Sequence, residues 1–267
     1  MATHTLPLRQ LQVNRLLWVS IATIIACELL AMYALGLTLD APYAAGALAI
    51  MATGFAIALF YRYVHRDDGL SLFANALNQL ICGSFAIAIG TYLAAYMSFP
   101  LADDALIRID HALGFDWRNY VAWIDSRPLV APLLMQAYAS CNLQLTLLLP
   151  FLFFNQPAHA QRVFITLYVA GLLTIVLSCF FPAVGAYVYY NLPPESFHSF
   201  TPLGPTVHQE QLLALLHHSS AVFLYPGDGI VSFPSYHSVI SVAAIAAMTS
   251  LGTKLSTLFG NISTNLR

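Results

Sequence analysis

From Leu16 to Leu39 the chain reads LLWVSIATIIACELLAMYALGLTL, with Glu28 its one acidic or basic side chain. A bilayer core takes about 20 apolar residues of helix to cross. Inside hydrocarbon every backbone N–H and C=O must bond within its own segment, so a run of this kind folds as a helix. It is too long for the apolar part of a signal peptide, and no clear small-residue cleavage site follows it. Similar runs recur at Pro42–Tyr61, Leu72–Met97, Pro128–Phe154, Arg162–Pro182 and Pro234–Leu251. The expected fold is therefore all-α: a polytopic transmembrane helical bundle of about six spans, in a single domain over residues 1–267. Only 8% of the residues are charged and 59% are hydrophobic, where soluble domains carry about a quarter charged. The net charge of -2 offers no basic field for nucleic acid, so none is expected as a partner; the partner is the bilayer. Cys27, Cys82, Cys141 and Cys179 lie inside apolar runs without metal-ligand spacing, and read as small buried hydrophobes.

Basic residues orient the bundle. With the N-terminus in the cytoplasm and loops alternating, Arg9, Arg15, Arg62, Arg66, Arg162, Lys254 and Arg267 fall inside. Arg108, Arg118 and Arg127 fall outside, and the segment 183–233 has no Lys or Arg. This is the positive-inside pattern. It predicts an integral protein of a bacterial inner membrane, with residues 101–127 and 183–233 on the periplasmic face. In the first of these, Leu106, Ile107, Ile109, Leu113, Tyr120, Val121, Trp123 and Ile124 recur at roughly helical spacing. That predicts one or two amphipathic helices lying in the interface between spans 3 and 4. The second, the long outer segment between spans 5 and 6, contains TVHQEQLLALLHH, a short helix with Thr206 and Gln209 spaced as a capping box.

The chemistry concentrates in FPSYHS, residues 233–238. Pro234 suits the first turn of a helix. Ser235 adds a hydroxyl and a backbone N–H beside it, and free N–H groups at a helix start attract anions. His237 titrates near neutrality and can pass a proton there. An anion cradle beside a proton donor is what phosphoryl chemistry needs. The residues alone also fit an ordinary interfacial helix start with a capping serine and a solvated histidine.

The segment GIVSFPSYHSVISVAA resembles the second signature of the type 2 phosphatidic acid phosphatase superfamily, where a Pro-Ser-x-His turn opens a transmembrane helix. RIDHALGFDWRNYVAW (108–123), YAS (138–140), FFPAVGAY (180–187) and GIVSFPSYHS (229–238) are similar to the inositol phosphotransferase-like branch, related to inositol phosphorylceramide synthase. The phosphatase-like region is about 100–251, and 252–267 is an atypical tail. The resemblance implies a phosphohistidine mechanism with no metal and no cofactor, acting on a lipid phosphate or phospholipid. It implies His237 as the general acid, with Ser235, Tyr236 and Ser238 holding phosphate oxygens. Arg127 is a further candidate for them, as is Arg118. The nucleophilic histidine of the family's third signature is not present: the chain continues TSLGTKLSTLFGNISTNLR after Met248, without His or Asp. The sequence reading accordingly expects a C-terminus truncated, frameshifted or eroded relative to the family. The family's first signature, a phosphate-clamping Lys and Arg, has no counterpart in FFPAVGAYVYYN. His198, His208, His217 and His218 read as polar residues near headgroups.

Glu28 marks a functional position by default, because an acid within a span is costly. Asn75, Asn78, Gln79, Asn142 and Gln144 read as interhelical hydrogen-bonding groups. Asp103, Asp104, Asp110, Asp116 and Asp125 read as a solvated interfacial face. Asn261-Ile262-Ser263 fits a glycosylation sequon but falls on the inner side. Three functions stand: a membrane lipid-phosphate phosphatase or phosphotransferase; a non-catalytic remnant that binds lipid phosphate; and a small-solute transporter using Glu28. No inverted repeat or paired broken helices support the last.

Overall fold

A computed structural model describes residues 8–140, 143, 147, 149–150, 152–154, 157–192, 197–199, 205–223, 230–235, 237–238, 240–242, 249 and 256. In chain order the elements are α1 (Leu8–Leu35), β1 (Thr38–Leu39), α2 (Ala41–Leu59), α3 (Asp68–Tyr96), α4 (Asp103–Ala112), α5 (Trp117–Asp125), α6 (Val130–Ala139), α7 (Pro157–Phe180), α8 (Ala186–Tyr189), α9 (Pro205–Leu216) and β2 (Val222–Phe223). A π-helical turn, Phe60–Val64, continues α2. Four helices among the described residues are long and apolar enough to cross a bilayer: Gln12–Leu35, Ala41–Val64, Asp68–Tyr96 and His159–Phe180. The protein is an all-α integral membrane bundle. The expected fourth span is described in part, with α6 at its start and helical residues 143, 147, 149–150 and 152–154 beyond it; the sixth falls largely on residues outside those described, with His237, Ser238 and residues 240–242 helical at its start.

Helix α3 is the hub, packing against α1, α2 and α7. Its approach to α7 depends on glycines. Gly171 of α7 faces Ile87, and Gly90 of α3 faces Ile175, each with no room for a methyl group. Between helices in lipid, small residues of this kind allow the close van der Waals packing that replaces a hydrophobic driving force. Leu17, Ile21, Cys82, Ile87, Phe164 and Tyr168 form the buried cluster there. Asn75 and Gln79 make the expected interhelical hydrogen bonds, whereas both Asn78 side-chain polar atoms are buried without a hydrogen-bond partner among the described residues. Trp18 Nε1 donates to Asn75 Oδ1 at 3.1 Å, and Gln79 Nε2 donates to the Asn14 carbonyl at 3.1 Å. Asn78 is buried against Gly54. Asn142 and Gln144 lie outside the described residues. Glu28 is buried against α3, its Oε1 3.0 Å from where a methyl on Gly90 would stand.

At the end of the bundle that carries His237, polar elements close over the helices. The first span was expected to run to Leu39, but α1 stops at Leu35. Gly36, at φ +68°, turns the chain out of the helix. Thr38 and Leu39 then pair in parallel with Val222 and Phe223. Beneath this ladder, Met32, Leu37, Ile89, Tyr92, Leu212, Leu215, Phe223 and Ile230 make a second buried cluster. The amphipathic stretch forms two helices, α4 and α5, with Asp116 capping α5 through a 2.9 Å bond from the Asn119 amide. The expected capping box is not at a cap: α9 opens at Pro205, which places Thr206 inside the helix. Proline is well suited to a first helical position, where its missing N–H costs nothing.

Candidate functional site

The site assembles from four segments that are far apart in the chain. Helix α4 starts with Asp103, which is 5% exposed. A carboxylate stripped of water needs donors, and Asp103 finds two. Its Oδ2 accepts the Val184 amide and its Oδ1 the Gly185 amide, both at 3.0 Å. One residue earlier, the Ala102 amide donates to the Pro182 carbonyl at 2.8 Å. The turn 182–185 is thus tied to the start of α4 on both sides. Gly185 sits at φ +87°, a conformation that favours glycine, and a methyl there would stand 3.4 Å from the Ser232 side chain. Ser232 in turn donates its hydroxyl to the Val184 carbonyl at 3.3 Å.

Ser232 leads directly into the sequence of interest. Ile230 is pinned behind it, its amide 3.4 Å from Thr91 Oγ1 on α3. Phe233, Pro234 and Ser235 follow as non-helical chain, and His237 and Ser238 are helical. Pro234 therefore precedes the helix rather than occupying its first turn. The Ser238 amide bonds the Ser235 carbonyl at 3.2 Å, and Ser241 Oγ donates to the His237 carbonyl at 2.9 Å. Ser235 and Ser238 are exposed and His237 is half-buried. Tyr236 lies outside the described residues. The His237 ring lies against Tyr138 of α6, with ring centroids 5.1 Å apart. Among the described residues, a small cavity behind this turn is lined by Thr91, Ser178, Pro182, Ala183 and Ser232, among others. At about 10 Å³ it has room for roughly one water molecule.

Of the interfacial aspartates, Asp104 is exposed and Asp110, Asp116 and Asp125 are half-exposed, in line with the expected solvated face, but most also hold specific bonds. Asp103 is buried, and Asp116 caps a helix. Asp104 accepts the Tyr189 hydroxyl, a bond that holds that phenol above its ordinary pKa. Asp125 Oδ1 accepts the amides of His198 at 2.8 Å and Ser199 at 2.7 Å. For Asp103, Asp116 and Asp125 the reason is the same: at a chain reversal, unpaired backbone N–H groups need acceptors, and a short acidic side chain supplies them. Beside these ties Trp117 stacks on Tyr190, and the Arg118 guanidinium lies 4.3 Å from the Tyr190 ring centroid. Arg127 is folded onto its own helix end. Its guanidinium lies 4.0 Å from the Trp123 ring centroid and donates to the Trp123 carbonyl at 2.9 Å.

Three of the quoted segments meet here, 138–140 through Tyr138 on His237 and 180–187 through Val184 and Gly185 on Ser232 of 229–238, while 108–123 packs beside them through Trp117 and Arg118 on Tyr190. A family model described as the PAP2 superfamily matches residues 104–263, more than half of the chain. The chain belongs to the PAP2 superfamily. No curated protein and no solved structure matches it. The PAP2 match begins within α4, one residue past Asp103, and runs through the His237 turn. Sequence reasoning missed two members of the site. Tyr138 was visible in YAS without a role. Asp103 gave no signal, because its partners lie about 80 residues away in the chain.

Proposed function

We propose that this PAP2 protein binds a lipid phosphate at the His237 end of the bundle, on the outer face of the membrane, and handles its phosphoryl group there. The observation that carries the reading is that segments 138–140 and 180–187 both contact 229–238 within the PAP2 match. Ser235 and Ser238, exposed at a helix start, are suited to the phosphate oxygens, with Tyr236 between them in the sequence. An anion at that end is favoured by the helix dipole and its free N–H groups. His237 is the proton donor to the departing alkoxide, whose P–O bond breaks as a nucleophile, water in the overall hydrolysis, bonds to phosphorus. Tyr138 packs against one side of its ring and restricts its orientation. Arg127 joins the cradle by swinging off Trp123. The move gives up an exposed cation–π contact worth about 0.5–1 kcal/mol and the bond to the Trp123 carbonyl, and replaces them with charge-assisted bonds to phosphate at about 1.5–3 kcal/mol each.

In the family's chemistry a second histidine attacks phosphorus. We assign binding and protonation of the leaving group to the residues named here. A second reading is a lipid-phosphate binder without turnover. A bacterial inner membrane with the N-terminus cytoplasmic fits the arginine distribution. The test is turnover of phosphatidic acid, isoprenyl diphosphate and a lysolipid phosphate by purified protein in detergent with chelator present. Phosphate release from at least one supports the catalytic reading. Saturable binding of the same lipids without release supports the binder. Neither release nor binding would refute both.

A further inference from the structure

We propose that Asp103 is a positioning residue for the His237 site, acting through the turn 182–185 and Ser232. What it positions rests on the functional reading above; that it positions His237 rests on geometry alone. If Asp103 served only to anchor α4, the Ala102-to-Pro182 bond would already do so. Asp103 instead spends both carboxylate oxygens on the two consecutive amides that set the shape of the turn. That shape decides where Ser232 rests. The Val184 carbonyl accepts the Ser232 hydroxyl, and the Ser232 side chain rests within contact range of Gly185. Ser232 is two residues from Pro234 and five from His237. With Ile230 held by Thr91, the strand entering the site has two fixed points, and Asp103 governs one of them.

A buried carboxylate with two amide donors is hard to replace. Asparagine keeps the volume but turns an N–H₂ toward one of the two N–H groups, so one bond is lost. The turn then relaxes, and Ser235 and His237 move with Ser232. Displacements below 1 Å at a reacting group cost about 10- to 100-fold in rate. Asp103→Asn should therefore lower kcat about 10-fold with KM changed less than about twofold. Ser232→Ala, which removes one bond at the second link, should lower it about 3-fold. Asp104→Asn, in the same helical turn, keeps an acceptor for Tyr189 and should leave turnover unchanged.

The experiment pairs turnover with a readout that needs no activity: the rate at which diethyl pyrocarbonate modifies His237, followed on the His237 peptide by mass spectrometry. Asp103→Asn and Ser232→Ala should change that rate at least about twofold, and Asp104→Asn should not. If Asp103→Asn folds and leaves the His237 rate at the wild-type value, the proposal is wrong. If Asp103→Asn does not fold, Ser232→Ala decides: an unchanged His237 rate there overturns the proposal equally. If wild-type protein turns over no lipid phosphate, the catalytic reading fails while the labelling comparison still decides the role of Asp103.

Discussion

Gly171 and Asp103 both sit where distant segments meet, and they make those contacts in opposite ways. Gly171, on α7 in the membrane, contributes by leaving space: Ile87 of α3 fills what a side chain would have occupied. Asp103, at the polar end, contributes two oxygens aimed at two amides. The contrast extends to their surroundings. The membrane frame of α1, α3 and α7 is packed mainly by shape, with amide bonds such as Trp18 to Asn75 as supplements. The polar end is held by acidic side chains on backbone N–H groups. Shape packing fixes how close helices come but tolerates small slides along them. Directed bonds fix individual residues. The phosphoryl site proposed at His237 would need positioning to a fraction of an ångström, and it lies on the second kind of structure.

The comparison is tested first by filling the space at Gly171. Gly171→Ala should destabilise the folded protein by about 1–3 kcal/mol through overpacking against Ile87, read as a lower melting temperature in detergent. Its activity per folded molecule should stay near wild type, because the polar end is untouched. Loss of turnover without loss of stability would show that the two regions are not separable. At the polar end, Asp125→Ala should release His198 and Ser199. Each amide gives up a bond to a charged acceptor worth about 1.5–3 kcal/mol, so exchange of those two amides should quicken about tenfold or more, with the melting temperature little changed.

Smaller effects sharpen the picture of the phosphate cradle. Arg127→Ala should raise KM for a lipid phosphate about fivefold and leave kcat nearly unchanged, the signature of binding lost equally from ground and transition states. Arg127→Lys should not restore it fully, since lysine cannot offer two parallel donors. Smallest of all, Arg118→Ala removes an exposed cation–π contact with Tyr190 worth about 0.5–1 kcal/mol, and should lower stability by no more than that. A larger change in KM than in stability would assign Arg118 to the cradle as well.

The sequence made the frame easy to read and the polar end hard. Apolar runs near 20 residues announce helices in lipid because few other folds satisfy a backbone there; α1, α2, α3 and α7 follow from that alone. Gly36 punctuated α1 more sharply than hydrophobicity showed, and so the span was read four residues too long. The ties of Asp103 and Asp125 are not legible in the sequence because a side chain that bonds an amide nearby in space has no signature in spacing. Asp103 meets Val184 and Gly185, and Asp125 meets His198 and Ser199, across 73 to 82 residues of chain. His237 was legible only because the turn around it resembles a known signature. Its ring partner Tyr138 depended on how α6 packs, which no local pattern encodes.

The measurement that tests the account most directly is turnover of phosphatidic acid by wild-type protein and His237→Ala, both purified in detergent and matched for melting temperature. The account predicts phosphate release by wild type, a loss of about 10²- to 10⁴-fold in the variant as expected for removal of a general acid, and no loss of stability. Release at the same rate by both proteins would contradict it, and would move the chemistry away from the His237 turn.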